Sequence, residues 1–199
     1  ADPDLSNQIR AILQISFPIN PLKVNIQHLQ DLITEIESVD YARIRITEKG
    51  ILEIYVKERT PVVVHRLESE LMLLDVLGRR VGDIFNRSDR ADLPLVAGQG
   101  ANLQVREALE IYKASQDIIN RVRGLVMIGE RRWDLILSAD QTIKLPEAQP
   151  NLKLLSFLAS PISNDILTGD FPVIDLRHHE HIILRKRKDL YSRNGFVTE

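Results

Sequence analysis

The chain of 199 residues contains no cysteine. That excludes a disulfide framework, thiolate catalysis and cysteine-ligated zinc. Aromatic residues make up only 5% of it, with a single tryptophan, which is poor material for stacking nucleobases. No apolar run approaches the roughly 18 residues that span a bilayer, and no secretory signal pattern is visible. A dominant charge is missing too. The 26 Lys and Arg against 28 Asp and Glu give a formal net charge of −2, so no bulk field demands nucleic acid. A nucleophile-elbow glycine–serine turn, His-Glu-x-x-His and a P-loop are all absent, which leaves an enzyme reading without a residue to rest on. What remains is 44% hydrophobic and 27% charged, a composition that suits one larger or two small globular domains.

The periodicity changes along the chain. Ile9, Ile12 and Leu13 share one face of a helix predicted over Leu5 to Ile15, with Ser6 as its N-cap. Phe17-Pro18-Ile19-Asn20-Pro21 breaks that helix. Ile26, Leu29, Ile33 and Ile36 predict a second, from about Asn25 to Ser38. The period then falls from 3.6 to 2. Val39, Ala42, Ile44 and Ile46 lie in a strand interleaved with Arg43 and Arg45. Glu48-Lys49-Gly50 turns it, and Leu52, Ile54 and Val56 line the return strand. This helix-helix-strand-strand unit ends near Arg59, and a domain boundary is expected there, giving domains 1–59 and 60–199.

Beyond Arg59, short apolar runs with turn residues predict a mostly antiparallel β-domain with one or two helices. Its strands are expected at Val62 to Arg66, Leu71 to Leu74 and Val122 to Ile128. A loop is expected from Asn86 to Gly100, then a helix starting near Asn102 with Val105, Ala108, Leu109 and Tyr112 on one face. The strongest strand signal is Gly129 to Pro146. Trp133, Leu135 and Leu137 alternate inward, Asp134 faces the other way, and Ile143 and Leu145 resume the apolar face after a turn at Ser138-Ala139-Asp140-Gln141. A short helix follows at Asn151 to Ala159, with Leu152, Leu155 and Leu158 aligned. Strands close the chain at Val173 to Arg177 and Ile182 to Leu184.

Four features invite a chemical reading, and each has a plainer one. Gly98-Gln99-Gly100 precedes a helix, but the dinucleotide fingerprint needs a third glycine where Leu103 stands; a glycine turn into a helix capped by Asn102 suffices. His178, His179 and His181 cluster, yet a zinc site wants three or four ligands with supporting partners, and a polar surface turn is the simpler account. Arg131 and Arg132 flank Trp133 without a second aromatic at stacking spacing; an arginine stem lying on the indole explains them. Arg185-Lys186-Arg187-Lys188 reads as a solvated face or edge protection ahead of a lipid contact.

Three segments, taken together and in order, resemble the extracytoplasmic region of the FtsQ/DivIB family of bacterial cell-division proteins, its alphaproteobacterial branch most of all. Val39-Asp40-Tyr41-Ala42-Arg43-Ile44-Arg45-Ile46, running on to Val56-Lys57-Glu58-Arg59-Thr60-Pro61, is similar to the paired strands and exit of that family's POTRA domain. Arg132-Trp133 with Leu135, Ile143, Leu145 and Pro146 is similar to its central hairpin. Val173-Ile174-Asp175-Leu176-Arg177 is similar to its strand near the C-terminus.

The resemblance implies an α+β fold: a POTRA domain lacking its first strand, then the β-domain. It implies a non-enzymatic divisome scaffold without cofactors or metals, sited at the division septum on the periplasmic face of the inner membrane and anchored by a transmembrane helix upstream. It implies partners of the FtsB and FtsL type, with other septal proteins besides and no nucleic acid. The family's contact, a partner strand added to the last β-strands, maps to Arg177, His178, Glu180, Ile182, Ile183, Leu184 and Lys186. His178 stands where the family often has an aromatic, His181 where it often has glycine, and the basic run where an aromatic can occur. A POTRA-bearing translocation or outer-membrane assembly module that grips client polypeptides is the competing expectation.

Overall fold

The computed structural model describes residues 3–13, 25–49, 51–178 and 180–187. The break predicted at Phe17 to Pro21, and Gly50, His179 and Lys188, lie outside the described residues. Two hydrophobic clusters organise the rest. In the first, helices α1 (Pro3–Leu13) and α2 (Ile26–Thr34) pack on a two-stranded antiparallel sheet of β1 (Val39–Ile46) and β2 (Leu52–Glu58). Leu5, Ile9, Ile33, Ile36, Val39, Ala42 and Ile44 form its buried centre. The apolar periods predicted these faces. Ser6, however, sits inside α1 rather than capping it. Asn25 caps α2, its side chain accepting from the N–H of His28 at 3.1 Å. α2 stops at Thr34, earlier than expected, where the Thr34 hydroxyl donates back to the carbonyls of Gln30 and Asp31, a local competition that favours helix ends.

The second cluster lies under a nine-stranded sheet ordered β11-β10-β9-β8-β7-β6-β3-β4-β5. Its strands are β3 (Val63–Leu67), β4 (Glu70–Leu74), β5 (Arg80–Ile84), β6 (Leu95–Ala97), β7 (Val122–Ile128), β8 (Arg132–Leu137), β9 (Thr142–Lys144), β10 (Val173–Asp175) and β11 (Ile183–Arg185). Five of the eight pairings are antiparallel. The three parallel ones join β3 to β6, β6 to β7 and β9 to β10. Helices α3 (Val105–Ala114), α4 (Pro150–Leu158) and α5 (Ser163–Thr168) cover one face. There Leu125, Trp133, Leu135, Leu137, Ile143, Leu145 and Ile174 meet Val105, Ile111, Leu154 and Phe157, all buried.

Three expectations change. The loop predicted from Asn86 to Gly100 contains β6, which sits in mid-sheet with parallel neighbours on both sides; three residues are too few to display alternation. The helix expected near Asn102 begins at Val105, after a 3-10 turn over Ala101–Gln104, and Asn102 does not cap it. On α4 the buried face is Leu154 and Phe157, while Leu152 and Leu155 are exposed. The glycine pair is structural. A Cβ on Gly98 (φ +97°) would sit 2.7 Å from the carbonyl oxygen of Met127, so the close approach to β7 requires glycine.

The β8–β9 turn holds two consecutive left-handed residues, Ala139 (φ +59°) and Asp140 (φ +55°), closed by the Leu137 N–H on the Gln141 carbonyl at 2.8 Å. Alanine is penalised there by about 1–2 kcal/mol. Ala139→Gly relieves that penalty and gives back about 0.4–1 kcal/mol through the unfolded chain. The expected net effect is a rise in Tm of roughly 1–3 °C, read by differential scanning calorimetry.

The clusters meet at Arg59. Its Nε and Nη2 donate to the carbonyls of Glu37 (3.1 Å) and Val39 (2.8 Å) of the first unit. Its Nη1 donates to Asp75 of the second at 2.7 Å. Both side chains are over nine-tenths buried, at 9% and 8% exposure. The Asp75 carboxylate also accepts the N–H groups of Leu77 and Arg79.

Candidate partner-binding edge

β11 forms one rim of the large sheet, and its register on β10 pairs Val173 with Arg185, Ile174 with Leu184 and Asp175 with Ile183. The hydrogen-bond direction of each residue follows from β10's other neighbour. The N–H of Leu176 donates to the Lys144 carbonyl, and the Pro172 carbonyl accepts from Thr142, both at 2.9 Å. Even-numbered residues of β10 therefore face β9, and Val173 and Asp175 face β11. Their partners Arg185 and Ile183 turn their N–H and C=O inward. Leu184, between them, turns both outward, to a rim without a neighbour among the described residues.

Side chains alternate as well. Ile182 and Leu184 pack on the hydrophobic core, whereas Ile183 lies on the opposite, helix-free face with 41% exposure. On that face Ile183 ends a row running across the strands. Asp134 pairs with Lys144, Lys144 with Asp175, and Asp175 with Ile183. Asp134 does face away from the apolar side, as alternation predicts, but it is buried.

Arginines bracket the row. Arg177 grips Asp175 with two side-chain bonds, Nε to Oδ1 at 2.8 Å and Nη2 to Oδ2 at 2.6 Å, and its own N–H adds a third at 3.1 Å. Arg132 reaches Asp134 at only 3.4 Å. The two carboxyls differ accordingly. Burial pushes Asp175 up, but the Arg177 bonds outweigh it and hold the group below its ordinary value. At Asp134 burial dominates Arg132, Lys144 and Arg177, and the carboxyl is raised.

Arg177 is thus pre-set by Asp175 while its side chain stays 39% exposed. His178, Glu180 and Lys186 are exposed along the connection and the strand's far end. Among the described residues no group of three or more His, Asp or Glu is placed to hold a metal ion. Arg187 pairs with Asp170 at 3.1 Å. The sequence did not mark Asp134, Lys144 or Arg132 as neighbours of Arg177. Each occupies an outward position of its strand, but the row exists only once the order β8-β9-β10 is known.

The tryptophan stands elsewhere. Trp133 is fully buried on the helix-covered face, its Nε1 donating to Glu107 of α3 at 2.9 Å. Arg132 points to the other face toward Asp134, so no stem of Arg132 lies on the indole. Burial raises the Glu107 carboxyl despite that bond.

No helix among the described residues is long and apolar enough to cross a membrane. Residues 63–177 match the family model described as cell division protein FtsQ/DivIB, C-terminal. The chain is 40% identical over 185 residues to the cell division protein FtsQ of Cereibacter sphaeroides, covering 93% of this chain and 60% of that protein. It is 41% identical over 173 residues to that of Roseobacter litoralis, covering 87% and 59%. It is 35% identical over 203 residues to that of Dinoroseobacter shibae, covering 100% and 68%. The chain spans about six-tenths of the length of the first two relatives.

Proposed function

The chain belongs to the FtsQ/DivIB family of cell-division proteins, and from that premise we propose that it is a non-enzymatic scaffold of the division septum that holds FtsB- and FtsL-type partners by strand addition to β11. The observation that carries this reading is the rim of β11, which has no neighbouring strand among the described residues, with the N–H and C=O of Leu184 directed outward. Such groups supply the affinity of an added strand, and neighbouring side chains supply its specificity. By the same alternation Ile182 and Lys186 offer the next outward groups. Arg177, fixed by Asp175, supplies a charge on the helix-free face beside Ile183, while His178 and Glu180 lie on the approach.

The two separate hydrophobic clusters support a division into a POTRA domain, residues 1–59, and a β-domain, residues 60–199. In this reading the protein works at the periplasmic face of the inner membrane. Amide hydrogen exchange tests the site directly. Adding an FtsB-type periplasmic segment is expected to slow exchange at Leu184 by about ten-fold or more, and to leave the β5 rim unchanged. Protection at β5 with none at β11 sinks the assignment.

A further inference from the structure

We propose that the open face of the β1–β2 hairpin, remote from β11, is a second docking surface, built for a carboxylate-bearing extended segment of another protein. Three rungs make this face: Tyr41 opposite Lys57, Arg43 opposite Tyr55, and Arg45 opposite Glu53. Its other side is fixed by the hydrophobic cluster of Ala42, Ile44, Ile54 and Val56, so the outward residues stand on a packed support. Tyr41 and Tyr55 are 44% and 64% exposed, and a groove of about 940 Å³ runs between them and the arginines.

Charge decides what the face takes. Arg45 is closed by Glu53 at 2.6 Å, and Lys57 by Asp40 at 2.9 Å. Arg43, in the middle rung, makes no hydrogen bond or ion pair among the described residues. One uncompensated guanidinium between two exposed tyrosines is left over, in a chain whose formal net charge is −2. Arginine recognises a carboxylate through two parallel bonds, and the tyrosine rings offer flat amphipathic contact on either side of it. Tyrosine and arginine are also the residues that dominate protein–protein contact energies. An anionic bilayer, by contrast, is held by several cations acting together, and two of the three here are neutralised.

The test titrates the whole 199-residue chain, labelled for NMR, with an acetylated heptapeptide alternating glutamate and valine. Amide shifts are expected at Tyr41, Arg43 and Tyr55, with affinity weakened about ten-fold by Arg43→Gln and lost when glutamine replaces the peptide's glutamates. An Ile183→Pro chain is expected to bind the peptide as well as the parent. Shifts confined to β11, equal binding by Arg43→Gln, or equal binding of the glutamine peptide each overturn the proposal. So does Arg43-dependent adsorption to phosphatidylglycerol vesicles without any peptide response, which assigns the face to lipid.

Discussion

Leu184→Pro is expected to weaken partner addition at β11 severely while leaving the sheet folded, and Ile183→Pro to fail differently. Leu184 directs its N–H outward and Ile183 directs its own to Asp175. Proline is tolerated on an edge strand where the missing N–H faces solvent. At Leu184 it therefore removes the donor a partner strand needs and spares the β10–β11 ladder. The lost bond and the ring's bulk together weaken association by about 2 kcal/mol or more, roughly 30-fold. At Ile183 proline strikes the ladder itself, and exchange at the β10–β11 pair accelerates even without partner. Isothermal titration and amide exchange on both variants separate the two effects. A folded Leu184→Pro chain that binds at parental strength removes β11 strand addition from consideration.

Arg59→Ala is expected to be the most destabilising single change, by about 3–5 kcal/mol, the usual cost of removing one member of a buried pair. It strands the Asp75 carboxylate and withdraws donors from the Glu37 and Val39 carbonyls at once. Urea unfolding at neutral pH reads the loss. Arg59→Met with Asp75→Asn is expected to recover part of it, because the side-chain oxygen of asparagine still accepts from Leu77 and Arg79 and no buried charge remains.

The pair also sets a pH dependence. Burial raises the Asp75 carboxyl, but the Arg59 bond and the two backbone N–H groups outweigh it, and the group sits below its ordinary value of 3.8. The unfolded chain therefore binds its proton more readily than the folded one. The stabilisation is complete above that ordinary value and is lost as pH falls through the lower, folded one. Removing Arg59 takes away the largest opposing interaction, so the acid-side loss traceable to Asp75 shrinks in Arg59→Ala. A variant with unchanged stability, or an unchanged acid limb, contradicts this account of the joint.

The parts of the fold written in residue alternation were legible. Trp133, Leu135 and Leu137, then Ile143 and Leu145, give their face by period alone. So do Ile26, Leu29 and Ile33 on α2. What escaped was information held by neighbours in space. Leu95–Ala97 is too short to show a period, and its place in mid-sheet is fixed by β3 and β7. On α4, the set Leu152, Leu155 and Leu158 fits a helix face as well as Leu154, Phe157 and Leu158 does, and only packing chooses between them. Asp134 was assigned to the correct face, but whether that face is wet depends on Lys144 across the ladder and on Arg132 two residues along the same strand. The candidate edge was found through its similarity to a family strand. The direction of each N–H along it came only from the ladder.

The position of β6 has a consequence for the order of assembly. Strands β3 to β5 form one local meander and β7 to β9 another. Each can zip from its own turns. They share no ladder except through three residues, Leu95–Ala97, laid parallel against both. Parallel neighbours cannot be joined by a tight turn, and closing the longer intervening loops costs chain entropy before any contact repays it. The two halves are therefore expected to form early and separately, with the seam along β6 closing late. Until it closes, both meanders carry an unpaired edge, so this short segment governs how long the nascent sheet stays open to mispairing.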